Sequence, residues 1–106
     1  MKKLRIRKDA DPKELEKHLV KLDILYNVGD EYLYKNTYCC MDEEDMNKYR
    51  TNPHAHAFEV EFYINEKREI AYCTYPECRS EEVILNKVYD LITAGLLVME
   101  EVDEEN

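Results

Sequence analysis

Apolar residues recur at every second position in two segments of the chain. Residues 4–7 read Leu-Arg-Ile-Arg, which directs Leu4 and Ile6 to one side. In residues 58–64 one set is Phe58, Val60, Phe62 and Ile64, and the other is Glu59, Glu61 and Tyr63. A period of two is typical of a half-buried β-strand, so both segments are predicted strands. Asn65-Glu66-Lys67 is expected to turn the second strand back into residues 69–75, forming a hairpin that Pro76 ends.

Two other segments carry helical spacing. Asp11 can cap a helix that begins at Pro12 and is predicted to run to about Lys21. The apolar face of this helix consists of Leu15, Leu19 and Leu22. Ser80 is the expected N-cap of a second helix, and Gly95 lies where its C-cap belongs. The face of the second helix that is expected to be buried consists of Ile84, Val88, Leu91 and Ile92.

The remaining segments predict short strands and one undecided element. Residues 24–28 and 32–34 favour β structure around the turn signal Gly29-Asp30, which predicts a hairpin whose second strand extends toward residues 38–40. Residues 41–52 space Met46 and Tyr49 like one face of a short helix, but helix and loop both remain open there. Residues 96–99 are apolar and predict a short buried strand.

These elements follow the order strand, helix, four strands, helix, strand. The order predicts a single α+β domain over residues 1–102, with a mostly antiparallel sheet of two hairpins plus the terminal strands, and two helices packed on one face. A chain of 106 residues has the size of one domain. Residues 103–106 are charged and are expected to form an acidic disordered tail.

The charge of the chain restricts its partners. It contains 24 Asp and Glu against 15 Lys and Arg, a net charge of −9. Nucleic acids and anionic lipids are bound through Lys and Arg, so we expect no direct binding to nucleic acid or membrane, and instead a protein partner with a basic surface. The apolar stretch at residues 91–99 is too short to cross a membrane, and no apolar block follows the basic N-terminus as in a secretory leader. We therefore expect a cytoplasmic protein with reduced cysteines.

The sequence lacks the usual signatures of catalysis. No nucleophile elbow, zinc-protease, dinucleotide or P-loop motif occurs. The chain has only 2 glycines, which opposes a phosphate-binding backbone loop. We expect no enzymatic activity and no cofactor.

Cysteine and histidine residues offer an alternative function, a small metal-binding or redox module. Its candidate ligands are Cys39, Cys40, His54, His56, Cys73 and Cys78. Against this, no C-x2-C pair is present, and neighbouring cysteines on a strand point to opposite faces. Semi-buried thiols and polar histidines at the entrance of a strand are the competing interpretation.

Two stretches resemble a known class of proteins. Residues 3–15 read Lys-Leu-Arg-Ile-Arg-Lys-Asp-Ala-Asp-Pro-Lys-Glu-Leu, and residues 87–98 read Lys-Val-Tyr-Asp-Leu-Ile-Thr-Ala-Gly-Leu-Leu-Val. Both resemble small uncharacterised phage and prophage proteins of Gram-positive bacteria, in which a strand precedes a capped helix and a terminal helix ends in an Ala-Gly-Leu step. Such proteins are similar in size and acidity to anti-CRISPR and other anti-defence proteins. The resemblance implies a non-enzymatic inhibitor of a host nuclease or defence protein, and it assigns no site residue.

The acidic clusters and nine tyrosines locate a candidate binding surface. Acids held in fixed geometry are the more effective contacts, because ordering a flexible chain costs about 1–2 kcal/mol per residue. The predicted partner-binding residues are Asp42, Glu43, Glu44, Asp45, Tyr49, Glu59 and Glu61. A third possibility is a structural or assembly protein that dimerises through a sheet edge, and the oligomeric state is left open.

Overall fold

A computed structural model describes residues 1–22, 26–28, 31–33, 37–53, 59–72 and 80–103. The helices within these residues are α1 (Pro12–Leu15), α2 (Glu43–Thr51) and α3 (Glu81–Thr93). The strands are β1 (Lys2–Ile6), β2 (Val20–Lys21), β3 (Tyr26–Val28), β4 (Glu31–Leu33), β5 (Tyr38–Cys40), β6 (Phe62–Ile64), β7 (Ile70–Ala71) and β8 (Leu97–Glu101). The predicted α+β class is confirmed, and the undecided segment after β5 is a helix.

Every strand pairing in the described residues is antiparallel. The largest sheet has the order β2-β5-β6-β7, while β1 pairs with β8 and β3 pairs with β4. The terminal strands β1 and β8 thus close on each other, with Ile6 opposite Leu97. A single bridge between Arg5 and Glu69 joins this pair to the edge of the large sheet.

The apolar side chains form two core clusters. The first core cluster consists of Val20, Leu22, Cys39, Met41, Tyr49 and Val60. The second core cluster consists of Ile6, Leu15, Leu19, Cys40, Phe62, Ile84, Leu91, Leu96 and Leu97. The neighbours Cys39 and Cys40 fall in different clusters because successive strand residues point to opposite faces. Thus α2 packs on one side of β5, and α1 and α3 contribute to the other.

The predicted helix termini are confirmed by their hydrogen bonds. The carboxylate of Asp11 accepts from the backbone N–H of Lys13 at 2.9 Å, and the hydroxyl of Ser80 accepts from that of Val83 at 3.4 Å. Helix α3 ends at Gly95, whose φ of +74° is a left-handed conformation that a residue without Cβ adopts at little cost. The next N–H, from Leu96, donates to the carbonyl of Leu91 at 3.0 Å, which closes a Schellman motif.

The first predicted helix is much shorter than expected. It ends at Leu15, and the chain reaches extended structure at Val20. Val20 pairs with Cys39, and the N–H of Leu22 donates to the carbonyl of Thr37 at 2.8 Å. The predicted apolar face of this helix is still buried, but residues 20–22 pair with β5 instead of continuing the helix, because a short helix is marginally stable in water without tertiary contacts.

Both predicted hairpins are present with different limits. Strands β3 and β4 form the first, with Gly29 and Asp30 outside the described residues, while residues 38–40 make the separate strand β5 between β2 and β6. The second hairpin joins β6 to β7 and begins at Phe62, because Glu59 and Val60 are not in a strand and the backbone bends at Glu61. This bend breaks the predicted alternation.

The C-terminal elements expose more apolar surface than predicted. Ile92 is exposed rather than buried in α3, and Met99 is exposed on β8 although Leu96 and Leu97 are buried. The predicted tail comprises residues 103–106, of which residues 104–106 lie outside the described residues. No helix in the described parts of the chain has the length and apolarity to cross a membrane.

Candidate protein-binding site on the acidic face of α2

Helix α2 begins with four consecutive acids. Asp42 is its N-cap, and the Asp42 carboxylate accepts a hydrogen bond from the backbone N–H of Asp45 at 2.8 Å. Glu43, Glu44 and Asp45 occupy the first turn. Free N–H groups and the positive end of the helix dipole favour carboxylates there, which is why this charged segment folds as a helix.

Tyr49 attaches α2 to the sheet and is not a surface contact. It was predicted among the partner-binding residues, but its side chain is 8% exposed and belongs to the first core cluster. Its hydroxyl donates to the backbone carbonyl of Lys21 at 2.6 Å. Met46 of the same helix packs, partly buried, against this cluster, so Tyr49 and Met46 together fix the position of the acids.

Asp45 is also turned inward. It is 7% exposed, and its carboxylate accepts a hydrogen bond from the backbone N–H of Glu59. Burial raises the pKa of Asp45 above its usual range, and the charge of Asp42 adds to the increase. The hydrogen bond from Glu59 ties the chain before β6 to the first turn of α2.

Glu61 links the same region to α3. The sequence pattern placed it on the polar face of a strand, but the bend turns it inward, where it is 4% exposed. Its Oε2 accepts from the backbone N–H of Ser80 at 2.6 Å, at the free amino end of α3. Burial raises the pKa of Glu61, and the charges of Asp42, Glu59 and Asp45 raise it further.

The exposed members of the predicted set are Glu43, Glu44 and Glu59, and Asp42 is half-buried beside them. We call the six acids of this region the acidic cluster: Asp42, Glu43, Glu44, Asp45, Glu59 and Glu61. Lys48 lies next to it, with its Nζ at 3.4 Å from Glu44 Oε1 and 3.8 Å from Asp45 Oδ1. Burial is the main cause of the raised pKa values of Asp45 and Glu61, and repulsion by Asp42 and Glu59 adds to it.

Both cysteines of β5, Cys39 and Cys40, are buried in the core clusters. Burial raises the pKa of the Cys39 thiol, and burial raises that of Cys40 to about 12, so both are protonated at neutral pH. A protonated, buried thiol is a poor metal ligand and a poor nucleophile. Within the described residues no group of three or more His, Cys, Asp or Glu could hold a metal ion. The other predicted ligands, His54, His56, Cys73 and Cys78, lie outside those residues.

A second group of charges, which the sequence reasoning missed, lies at the junction of β1, β8 and the β6–β7 turn. Arg68 donates two hydrogen bonds to Glu100, at 2.8 and 2.7 Å, and Arg5 donates to Glu69 at 3.0 Å. We call these four residues the arginine–glutamate network. The hydrogen bond from Arg68 lowers the pKa of Glu100, and the hydrogen bond from Arg5 lowers that of Glu69. No local spacing signals it, since the partners are 32 and 64 residues apart.

The structure therefore brings together six of the seven predicted partner-binding residues around one helix start, and assigns the seventh, Tyr49, to the core beneath it. Of the six, Asp45 and Glu61 face inward and the others are at least partly accessible. Comparisons of the chain with models of known protein families, with curated proteins and with solved structures find no match.

Proposed function

We propose that this protein is a non-enzymatic, cytoplasmic inhibitor that binds a partner protein through the acidic cluster and occupies a basic surface that otherwise binds nucleic acid. The observation that carries the proposal is a set of exposed carboxylates at one helix start: Glu43 and Glu44 lie in the first turn of α2, and Glu59 is joined to Asp45 of the same turn. A basic channel on a nuclease or another nucleic-acid-binding protein is the complementary surface.

Rigidity supports this function. Asp42 caps α2, Tyr49 attaches the helix to the backbone of β2, and the N–H of Glu59 donates to Asp45. The backbone that carries the accessible acids is therefore ordered before binding, which removes the backbone cost of about 1–2 kcal/mol per residue that a flexible acidic tail would meet.

Electrostatics supports it as well. Burial raises the pKa values of Asp45 and Glu61, and the charges of Asp42 and Glu59 raise both further, so acids of the cluster repel one another in the free protein. Lys and Arg of a partner would relieve that repulsion, and its loss would add to the free energy of binding. The phage-type resemblance of residues 3–15 and 87–98 suggests the biological setting, in which the partner is a host nuclease or defence protein.

The test compares two triple variants with equal net charge. The site variant Glu43→Lys, Glu44→Lys, Glu59→Lys and the control variant Glu16→Lys, Glu66→Lys, Asp103→Lys each change six charge units and take the chain from −9 to −3. All six positions are exposed, and because Glu43 and Glu44 lie in the first turn of α2, circular dichroism checks that the site variant keeps its fold. Each tagged protein, including the unmodified one, is used to capture partners from cells of the host at physiological salt.

The unmodified protein and the control variant should capture the same partner, and the site variant should lose it. Calorimetry with the purified partner should then show a loss of at least about tenfold in affinity for the site variant alone, equivalent to about 1.4 kcal/mol. The unmodified protein should also displace a labelled oligonucleotide from that partner. Equal weakening by both variants would reduce the interaction to diffuse electrostatics, and retention of the oligonucleotide would contradict inhibition by occupancy.

A further inference from the structure

Helix α3 carries a second apolar surface that faces solvent. Leu85 is 67% exposed, Tyr89 is 68% exposed and Ile92 is 48% exposed. At about 100° per residue these three side chains fall within roughly 60° of arc, one above the other along the helix. We call them the apolar stripe.

The stripe is not a by-product of an unfolded or loosely packed helix. Ile84 and Leu91, on another side of α3, are 8% and 0% exposed in the second core cluster. Ser80 and Gly95 close the two ends of the helix with hydrogen bonds. The stripe is therefore presented in fixed geometry, and the spacing i, i+4, i+7 is the anchor pattern that one helix offers to another in recognition.

The charges around the stripe restrict what can cover it. The charged residues exposed on α3 are Glu81, Glu82 and Asp90, all acidic. Lys87 is half-buried and projects roughly opposite to the stripe, toward Cys40, whose pKa it lowers. A second copy of the chain would bring its own three exposed acids of α3 against these three, and each copy carries a net charge of −9.

We propose that the apolar stripe is a docking surface for an amphipathic helix of another protein, with aliphatic residues on its apolar face and Lys or Arg flanking them. The aliphatic residues cover Leu85, Tyr89 and Ile92, and the cations pair with Glu81 and Glu82, which border the stripe on its two sides. This surface is separate from the acidic cluster, which lies toward the Lys87 side of α3, as the charges acting on Cys40 indicate.

Two synthetic helical peptides of about 18 residues test the proposal. Both carry Leu at i, i+3, i+4 and i+7, and the remaining positions are Lys in one peptide and Glu in the other. Binding is followed by fluorescence anisotropy at physiological ionic strength with the full chain. The stripe variant is Leu85→Ser, Tyr89→Ser, Ile92→Ser, and the control variant is Asn86→Ser, Thr93→Ser on the neighbouring polar side of α3. Circular dichroism checks that each variant keeps its fold.

The Lys peptide should bind the unmodified chain and the control variant, and the stripe variant should weaken it by at least about tenfold. The Glu peptide should bind at least about tenfold more weakly than the Lys peptide. The variant Glu43→Lys, Glu44→Lys, Glu59→Lys should keep the Lys peptide, which separates this surface from the acidic cluster.

Three results would overturn the proposal. Equal binding of the Lys and Glu peptides would mean a non-selective apolar patch. If the acidic-cluster variant no longer binds the Lys peptide and the stripe variant still does, the peptide binds to the acidic cluster and not to the apolar stripe. Sedimentation equilibrium that shows a dimer of the unmodified chain and a monomer of the stripe variant would make a second copy the occupant.

Discussion

Two groups of carboxylates in this protein have the same chemistry and opposite electrostatic states. In the arginine–glutamate network, Glu69 and Glu100 each accept hydrogen bonds from an arginine, and their pKa values are lowered. In the acidic cluster, Asp45 and Glu61 are buried next to other acids, and their pKa values are raised. The first group joins the terminal strands to the rest of the fold, whereas the second retains unneutralised charge. An acidic composition therefore has two structural uses, and only the second leaves charge for a partner.

The largest expected effect comes from detaching the acidic cluster from the core. Tyr49→Ala removes a buried ring and its hydrogen bond to Lys21, and it should lower the free energy of unfolding by about 3 kcal/mol. The matched change Tyr89→Ala, at an exposed position of α3, should stay within about 0.5 kcal/mol. Urea unfolding followed by circular dichroism measures both. Similar values for the two tyrosines would show that α2 is not fixed through Tyr49.

Neutralising single acids should change stability with opposite signs in the two groups. Asp45→Asn keeps an oxygen that accepts the Glu59 N–H and removes a repelled charge, so it should stabilise the fold at neutral pH by about 0.5–1 kcal/mol. Glu100→Gln removes a charge that Arg68 holds, so it should lower the melting temperature. Thermal unfolding of both variants and of the unmodified chain measures the sign of each change in stability. A loss of stability in Asp45→Asn would mean that the cluster is not under repulsion.

The pH dependence of stability should separate the groups. Because the pKa of Asp45 and Glu61 is raised, their contribution is complete below the unfolded pKa and is lost as the pH rises through the folded pKa. Because the pKa of Glu69 and Glu100 is lowered, their contribution is present above the unfolded pKa and is lost as the pH falls through the folded pKa. As the pH falls from neutral, stability should therefore first increase as the pH passes through the raised pKa values of Asp45 and Glu61, and then decrease as it falls below the ordinary carboxyl range toward the lowered pKa values of Glu69 and Glu100.

Variants assign the two limbs of this profile. The increase on the acidic side of neutrality should flatten when Asp45→Asn is combined with Glu61→Gln, and the decrease at low pH should weaken in Glu100→Gln. Chemical unfolding at a series of pH values provides the free energies. A profile that rises steadily from pH 5 to pH 8 would contradict the repulsion in the acidic cluster.

The smallest expected effect is on the pKa of the Cys40 thiol, which the charges of the acidic cluster raise. After burial, the charges of Glu61 and Asp42 contribute to its raised pKa of about 12. In a Cys73→Ser, Cys78→Ser background, a thiol reagent at pH 8 should label Cys39 and Cys40 only after unfolding, and Glu61→Gln should lower the pKa of Cys40 slightly. Rapid labelling of the folded protein would show that β5 opens readily and that its thiols are accessible.

The sequence by itself determined the elements whose signals are local. Asp11, Ser80 and Gly95 marked helix ends correctly, because a cap is made by the residue and the few N–H or C=O groups beside it. The alternating residues 4–7 predicted β1, and the spacing of Met46 and Tyr49 allowed a helix at α2. The sequence pattern also predicted one surface from the acids of residues 42–45 with Glu59 and Glu61, and the fold brings these residues together.

Tertiary structure decided everything that depended on a distant partner. Leu22 continues the helical spacing of Leu15 and Leu19, but strand pairing with β5 gave the chain an extended backbone from Val20 onward. Glu61 has the position of a surface residue, but the N-terminus of α3 drew it inward. The arginine–glutamate network joins residues 32 and 64 positions apart, and the exposed side of α3 is defined by which side the core covers. Periodicity specifies that a face exists, and only packing selects the face that is buried.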